Sequence, residues 1–529
     1  MAAMIDAPTL KNMLSEASEI ALIDVREAGQ FGEGHLFFAV PLAYSRFELG
    51  LRALIPNAGV RLVLCDAGDG VAQRAARRAE ALGYGNVSIL AGGVDAWQAA
   101  GYTLYAGVNV PSKTFGELVE LQRHTPRLSA PELTALRERK ANFVIVDGRP
   151  FGEYRKMNIP GGICCPNGEL ALYIHEIAPD PATTIIVNCA GRTRSIIGAQ
   201  LLIDFGVPNP VYALENGTQG WFLAGFELEH GADRRHGVEP PSNLAALAQR
   251  ARAHAEARGV EFVSETTARR WLAEGERTTY LLDVRSPEEV ATDGVAGFAS
   301  APGGQLIQAT DLWVGVKGAR LLLLDREGVR APVVAGWLRQ MGHAASVIEG
   351  GTSAARAHDW RRQEASAPPG AELGRISAQD AAAALARGGL NIIDLRPSLS
   401  YRKGHIAGAV WSIRPRIGPP PGKSVLLVAE EPALARLAAI DLMEAGAEEV
   451  RLLSDGPETW SAAGLPLAAT PGEPHDQARI DFLFFTAKRH EGGAEAAAAA
   501  RQYLAWEIGL IDQLDAQERG AFAITDANR

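Results

Sequence analysis

The sequence predicts an α/β protein of four tandem domains, each a small parallel sheet covered by helices, followed by a helical C-terminal tail. Three observations predict it. An apolar run ending in Asp-x-Arg occurs four times, as ALIDVRE, FVIVDGRP, YLLDVRS and NIIDLRP, with aspartates at Asp24, Asp147, Asp283 and Asp394 that lie 123, 136 and 111 residues apart. Such intervals are domains, not solenoid units. After each motif follow, in one order, a Gly/Pro-rich turn, a second apolar run, a helical stretch and a short strand entering a glycine-rich turn. Finally, 47% apolar and 22% charged residues over 529 positions let every copy bury a core.

The elements justify themselves in turn. The Asp-x-Arg runs and the second runs (RLVLC, TIIVNC, RLLLLD, SVLLVA) are short and rich in Val, Ile and Leu, as strands buried on both faces must be. Stretches such as GVAQRAARRAEALGYG and RSIIGAQLLIDFGVP supply the covering helices. The closing strands are SILAGGVDAW, VYALENGTQGW, SVIEGGTSAA and RLLSDGPETW, and 32 residues separate Cys65 from Trp97 and Cys189 from Trp221. The expected domains are 1–108, 109–237, 238–365 (opening with a linker helix) and 366–474, with the tail at 475–529. The tail reads as an apolar segment plus an amphipathic helix, a packing or oligomer element and not a catalytic one.

Charge and cysteine usage exclude whole classes of function. A net charge of −10 gives no basic field for nucleic acid or an anionic membrane surface. No apolar stretch is long enough to span a bilayer, and the start has neither a basic region nor an apolar core of a signal peptide, so a cytoplasmic protein is expected. Four cysteines, Cys65, Cys164, Cys165 and Cys189, are too few for a disulfide scaffold and lack zinc spacing; the eleven histidines show no metal pattern. No metal or organic cofactor is expected.

Chemistry is expected just after the second run, where ligands of open parallel sheets sit beside helix N-termini. In the second copy TIIVN runs into Cys189, Ala190, Gly191, Arg192, Thr193, Arg194 and Ser195, and a helix follows at once. A thiolate there is favoured by the helix dipole and by unpaired backbone N–H groups, and Arg192 and Arg194 should add positive charge. The reading is an ionised nucleophile in a cup of donors able to hold an anion.

The CAGRTRS loop, the preceding Asp-x-Arg with its IPGG turn and the following NGTQGW resemble the rhodanese family of sulfurtransferases, over about residues 5–470. The resemblance implies four rhodanese-like domains and a persulfide on Cys189, filled from thiosulfate, mercaptopyruvate or a protein persulfide partner and emptied onto cyanide or a thiol. Residues Ala190 to Ser195 would bind substrate. The six residues from Cys189 to Arg194 match the sulfurtransferase loop and leave phosphatase, which needs one more, a remote alternative. A cationic loop favours thiosulfate, although Arg192 and Arg194 could also take the carboxylate of mercaptopyruvate. A non-catalytic scaffold or persulfide sensor is the rival from another class. Oligomeric state does not follow from the sequence.

The other loops are expected to be degenerate. Cys65, in CDAGDG, is a doubtful second thiol, because Asp66 and Asp69 would oppose its ionisation and repel anions. Asp325 and Ala429 stand at the cysteine position of the third and fourth copies and cannot carry sulfur. Cys164 and Cys165 read as turn residues, with Asn167 and Glu169 near the loop mouth. The Asp147–Arg149 pair reads as structural because all four copies have it, and Trp221, like Trp97 and Trp460, as core or pocket wall.

Overall fold

The structure is a computed structural model that describes residues 2–360, 370, 372–388, 390–420, 422–487 and 493–525. Among them stand four five-stranded parallel sheets with one shared order: the first strand of each copy pairs with its last, then come the fourth, the second and the third. In the second copy this order is Arg127–Leu128, Val211–Leu214, Thr184–Asn188, Phe143–Asp147 and Ile163–Cys164. The strands Ile20–Asp24 and Thr279–Asp283 are buried at every residue, which is why they read as unbroken apolar runs.

Each Asp-x-Arg forms a buried ion pair, with Nη2 to Oδ2 distances of 2.7 Å for Arg149–Asp147 and 2.6 Å for Arg26–Asp24, Arg285–Asp283 and Arg396–Asp394. Arg149 also donates to the Met157 carbonyl at 2.6 Å, as Arg26 does to Gly34 and Arg396 to Gly404. The pair therefore ties the strand end to the following turn, a structural task that needs no cysteine in the copy.

The chain divides into two compact units, and sequence neighbours do not always share one. One unit comprises residues 1–13, 21–108 and 365–487, and so holds the first and fourth copies; the other comprises 14–20, 109–364 and 488–529, with the second and third. In the first unit Arg414 bonds Glu48 at 2.6 Å and Asp441 at 3.1 Å and stacks on Tyr44 at 4.4 Å. In the second unit the two copies meet symmetrically at Gly168 and Gly304: a Cβ on Gly168 would lie 2.8 Å from the Gly304 nitrogen, and one on Gly304 would lie 3.0 Å from the Gly168 nitrogen. Arg330 reaches Glu169 at 3.0 Å and Arg194 reaches Gln305 at 3.4 Å across the same contact.

The tail expected as one element over 475–529 divides between these units. Its first part docks on the first copy, where the Gly29 N–H donates to the Ile480 carbonyl at 2.8 Å. Its helix, Gly493–Ile508, belongs to the unit of the second and third copies.

Candidate active site

Sheet register decides which residues are equivalent. Asp147 pairs with Asn188, Asp283 with Leu324 and Asp394 with Val428, and the Val25 N–H donates to the Cys65 carbonyl as the Gly148 N–H does to Asn188. The residues heading the loops are therefore Cys189, Asp325, Ala429 and, in the first copy, Asp66. The closing turns agree: the N–H groups of Thr218, Thr352 and Val94 donate to the carbonyls of Cys189, Asp325 and Asp66, each at 2.9 Å. This corrects the expectation for Cys65, which ends its strand one position early. Val87 pairs with Leu62 and Val211 with Ile185, so the first copy has one residue fewer between these strands, and the equal spacing to tryptophan concealed the offset.

The four loops differ in what fills them. Asp325, 1% exposed, turns its carboxylate into its own loop and accepts from the N–H groups of Gly328, Val329, Arg330 and Ala331 at 3.0, 2.8, 2.7 and 3.2 Å. Asp66 does the same with Gly68 and Ala72 at 2.8 and 2.9 Å. Burial first, and Asp24 next, push the Cys65 thiol well above its ordinary range. In the fourth copy Ala429 offers no reactive group, and Pro432 removes a donor. Only the second copy heads its loop with cysteine, and none of the backbone N–H groups of Ala190 to Ser195 donates to a protein acceptor among the described residues.

That loop is held firmly. Cys189 follows the buried strand Thr184–Asn188, and the helix Thr193–Asp204 begins four residues on. Gly217 lies at φ +55°, and a Cβ there would sit 2.2 Å from the Cys189 carbonyl oxygen, so glycine is required where the closing turn crosses the loop. The Ala190 carbonyl accepts from the Gln219 N–H at 3.1 Å. The thiol, 2% exposed, donates to Ser195 Oγ at 3.6 Å, and Ser195 donates in turn to the Arg192 carbonyl at 2.8 Å.

Both loop arginines are paired with carboxylates, which tempers the expected cationic loop, while the Arg194 guanidinium still acts electrostatically on Cys189. Arg192 makes two bonds to Glu117, at 2.7 and 2.8 Å, and another to Glu120. Burial works against the Arg192 cation, but its bonds to Glu117 outweigh that and hold the guanidinium above its usual value. Burial likewise lifts the Glu117 carboxyl from 4.5 to about 7 despite Arg192. Arg194 makes two bonds to Glu153, both at 2.8 Å.

Two helices outside the loop pack against it. The helix Val110–Arg123, which opens the second expected domain, supplies Lys113 and Glu117 on one face. The tail helix supplies Tyr503 and Glu507, again four apart, and Glu507 Oε1 accepts from Thr193 Oγ1 at 2.8 Å and from Lys113 Nζ at 3.3 Å; Lys113 also bonds the Tyr503 hydroxyl. A Cβ on Gly191 would lie 3.2 Å from Glu507 Oε2, 3.4 Å from Gln219 Nε2 and 3.7 Å from Tyr503 Cε1. A signal existed in the sequence: buried Ala496, Ala500, Tyr503 and Leu504 mark the inward stripe of the tail helix, and Glu507 falls on that stripe.

The remaining candidates lie apart from the reacting atom. Cys164 Sγ donates to the Arg149 carbonyl at 3.4 Å, and burial pushes its thiol up to about 12; Cys165 is fully buried and pushed well above its usual range. Asn167 donates to the Arg194 carbonyl at 2.8 Å and so braces the loop. Glu169 faces Arg330 and not the mouth, correcting its placement there. Trp221 packs in the core, its Nε1 donating to the Glu227 carbonyl. Among the described residues no cluster of His, Cys, Asp and Glu is placed to hold a metal ion, and no helix is long and apolar enough to cross a membrane.

Comparison with known proteins bears on the whole chain. A family model described as Rhodanese-like domain matches residues 6–100, 129–224 and 377–463. A crystal structure of thiosulfate sulfurtransferase from Pseudomonas aeruginosa is 42% identical over 99% of each chain, with a TM-score of 0.89. An HTH-type transcriptional regulator of Mycobacterium tuberculosis is 35% identical over 103 residues, 19% of this chain; the chain spans 45% of that regulator's length. The solution structure of a rhodanese-like domain from Anabaena, 24% identical, covers 22% of this chain and 94% of its own, with a TM-score of 0.19.

Proposed function

The chain belongs to the rhodanese family, and from that premise we propose that it is a sulfurtransferase moving sulfane sulfur from thiosulfate, through a persulfide on Cys189, to a thiophilic acceptor. One observation carries the reading. Of four loops built alike, only that of Cys189 joins a head-of-loop thiol to backbone donors without protein acceptors, whereas Asp325 and Asp66 occupy theirs with their own carboxylates.

Chemically, the Cys189 thiolate attacks the outer sulfur of thiosulfate, the S–S bond breaks, and sulfite departs with the electron pair. The N–H groups of Ala190 to Ser195 hold the anion as charge moves. An acceptor nucleophile then takes the outer sulfur and Cys189 leaves as thiolate, which gives ping-pong kinetics. Arg192 and Arg194 act as positioning residues, because their guanidinium groups are spent on Glu117, Glu120 and Glu153. A carboxylate donor such as mercaptopyruvate therefore lacks the arginine that the loop sequence offered it. The neighbour's name supports thiosulfate as well. A cytoplasmic setting, small-molecule donor and acceptor, and degenerate roles for the other three loops belong to the same proposal.

Steady-state turnover with thiosulfate and cyanide, set against mercaptopyruvate and cyanide, tests it. Thiosulfate should give the higher kcat/KM. Turnover with neither donor would sink the enzyme reading, and a preference for mercaptopyruvate would reverse the donor assignment.

A further inference from the structure

Three buried polar atoms at this loop lack a protein partner among the described residues: Glu507 Oε2 and Gln219 Nε2, which lie 3.2 and 3.4 Å from where a Cβ on Gly191 would stand, and Oε1 of the same Gln219 amide. Glu507 is 1% exposed and Gln219 3%, so each such atom costs free energy unless a ligand satisfies it. Two of the three are acceptors. Thiosulfate and cyanide bring no N–H donor and can engage only the Gln219 amide nitrogen. A ligand that satisfies Glu507 Oε2 must donate, and beside a carboxylate an ammonium is the strongest donor.

We infer that the Cys189 mouth selects a sulfur acceptor that is a small thiol carrying an ammonium group, with Glu507 of the tail helix as the residue that holds the ammonium. The inference rests on the sulfurtransferase reading. The thiolate of the acceptor attacks the outer sulfur of the Cys189 persulfide while its ammonium bonds Glu507 Oε2 and the Gln219 side-chain oxygen. The new S–S bond forms on the acceptor, the old one breaks, and Cys189 recovers its thiolate. The proton of the acceptor thiol passes to solvent. Glu507 determines specificity and takes no part in bond breaking. The arrangement also explains why a helix distant in sequence closes this one loop.

The experiment compares cysteamine with 2-mercaptoethanol, in which a hydroxyl of similar size replaces the ammonium, as acceptors for the full chain loaded with sulfur from thiosulfate and at matched thiolate concentration. Cysteamine should be favoured in kcat/KM by about tenfold, the scale of one buried charge-assisted contact. In Glu507→Gln the ratio should fall to near one, and Glu507→Asp should restore part of it. A wild-type ratio near one, or a ratio unchanged in Glu507→Gln, overturns the inference. If Glu507→Gln does not fold, the wild-type ratio decides alone. Failure of the wild type to load sulfur would instead overturn the sulfurtransferase reading, whereas loading without discrimination overturns only this one.

Discussion

Replacing Asp325 by alanine should cost far more stability than replacing Cys189 by alanine, although the two residues head equivalent loops. Asp325 accepts from four backbone N–H groups at 2.7 to 3.2 Å. A net hydrogen bond to a charged group contributes about 1.5–3 kcal/mol, and such bonds sharing one carboxylate are not additive, so a loss of about 3–5 kcal/mol is expected for Asp325→Ala. Cys189→Ala removes one buried sulfur and no backbone partner, at a cost of roughly 1 kcal/mol. Because the chain has two units, global unfolding is not two-state. Amide hydrogen exchange at Val329 and Arg330 is therefore the assay. Their protection should collapse in Asp325→Ala and return in part with added sulfate, while exchange around Gly191 should be unchanged by Cys189→Ala. Equal losses in the two variants, or undiminished protection at Val329, would refute the contrast between a filled and an open loop.

Cys65→Ser should keep wild-type turnover within about twofold, since Cys65 ends a strand and a carboxylate fills the neighbouring loop; a steady-state assay checks it. Gly191→Ala, which strains no backbone but brings a Cβ to 3.2 Å from Glu507 Oε2, should lower kcat/KM about tenfold or more with little change in stability. Glu117 ties stability to pH: burial raises its carboxyl from 4.5 to about 7, so folding favours the protonated form. Its contribution is complete below pH 4.5 and is lost as pH rises to about 7. Glu117→Gln should thus lack a decline on the order of 2 kcal/mol across that window, read from amide exchange protection of the helix Val110–Arg123 in wild type and variant at each pH, corrected for the intrinsic exchange rate.

The repeat made most of the fold legible, because strands buried on both faces must be written in Val, Ile and Leu, and each closes on a buried Asp-x-Arg. The place of Cys189 at the head of its loop was legible for a related reason, since a buried apolar strand that runs through Gly191 straight into a helix marks that turn. Charge was the opposite case. Arg192 and Arg194 look cationic in one dimension, but Glu117, Glu120 and Glu153 that neutralise them lie 41 to 75 residues away in the chain. Glu507 lies 314 residues from Thr193, beyond reach of any local pattern. The pairing of the second copy with the third depends on a close backbone approach at Gly168 and Gly304, where a Cβ on either would meet the other's main chain, and no periodicity encodes it. Cys65 shows how spacing misleads: one deleted residue and a shift of one register position cancelled.

The most direct test of Cys189 as the sulfur carrier is the intact mass of the chain before and after thiosulfate. Wild type and Cys65→Ser should each gain one sulfur atom, lost again when cyanide is added, and Cys189→Ser should gain none. A sulfur atom retained on Cys189→Ser would contradict the account.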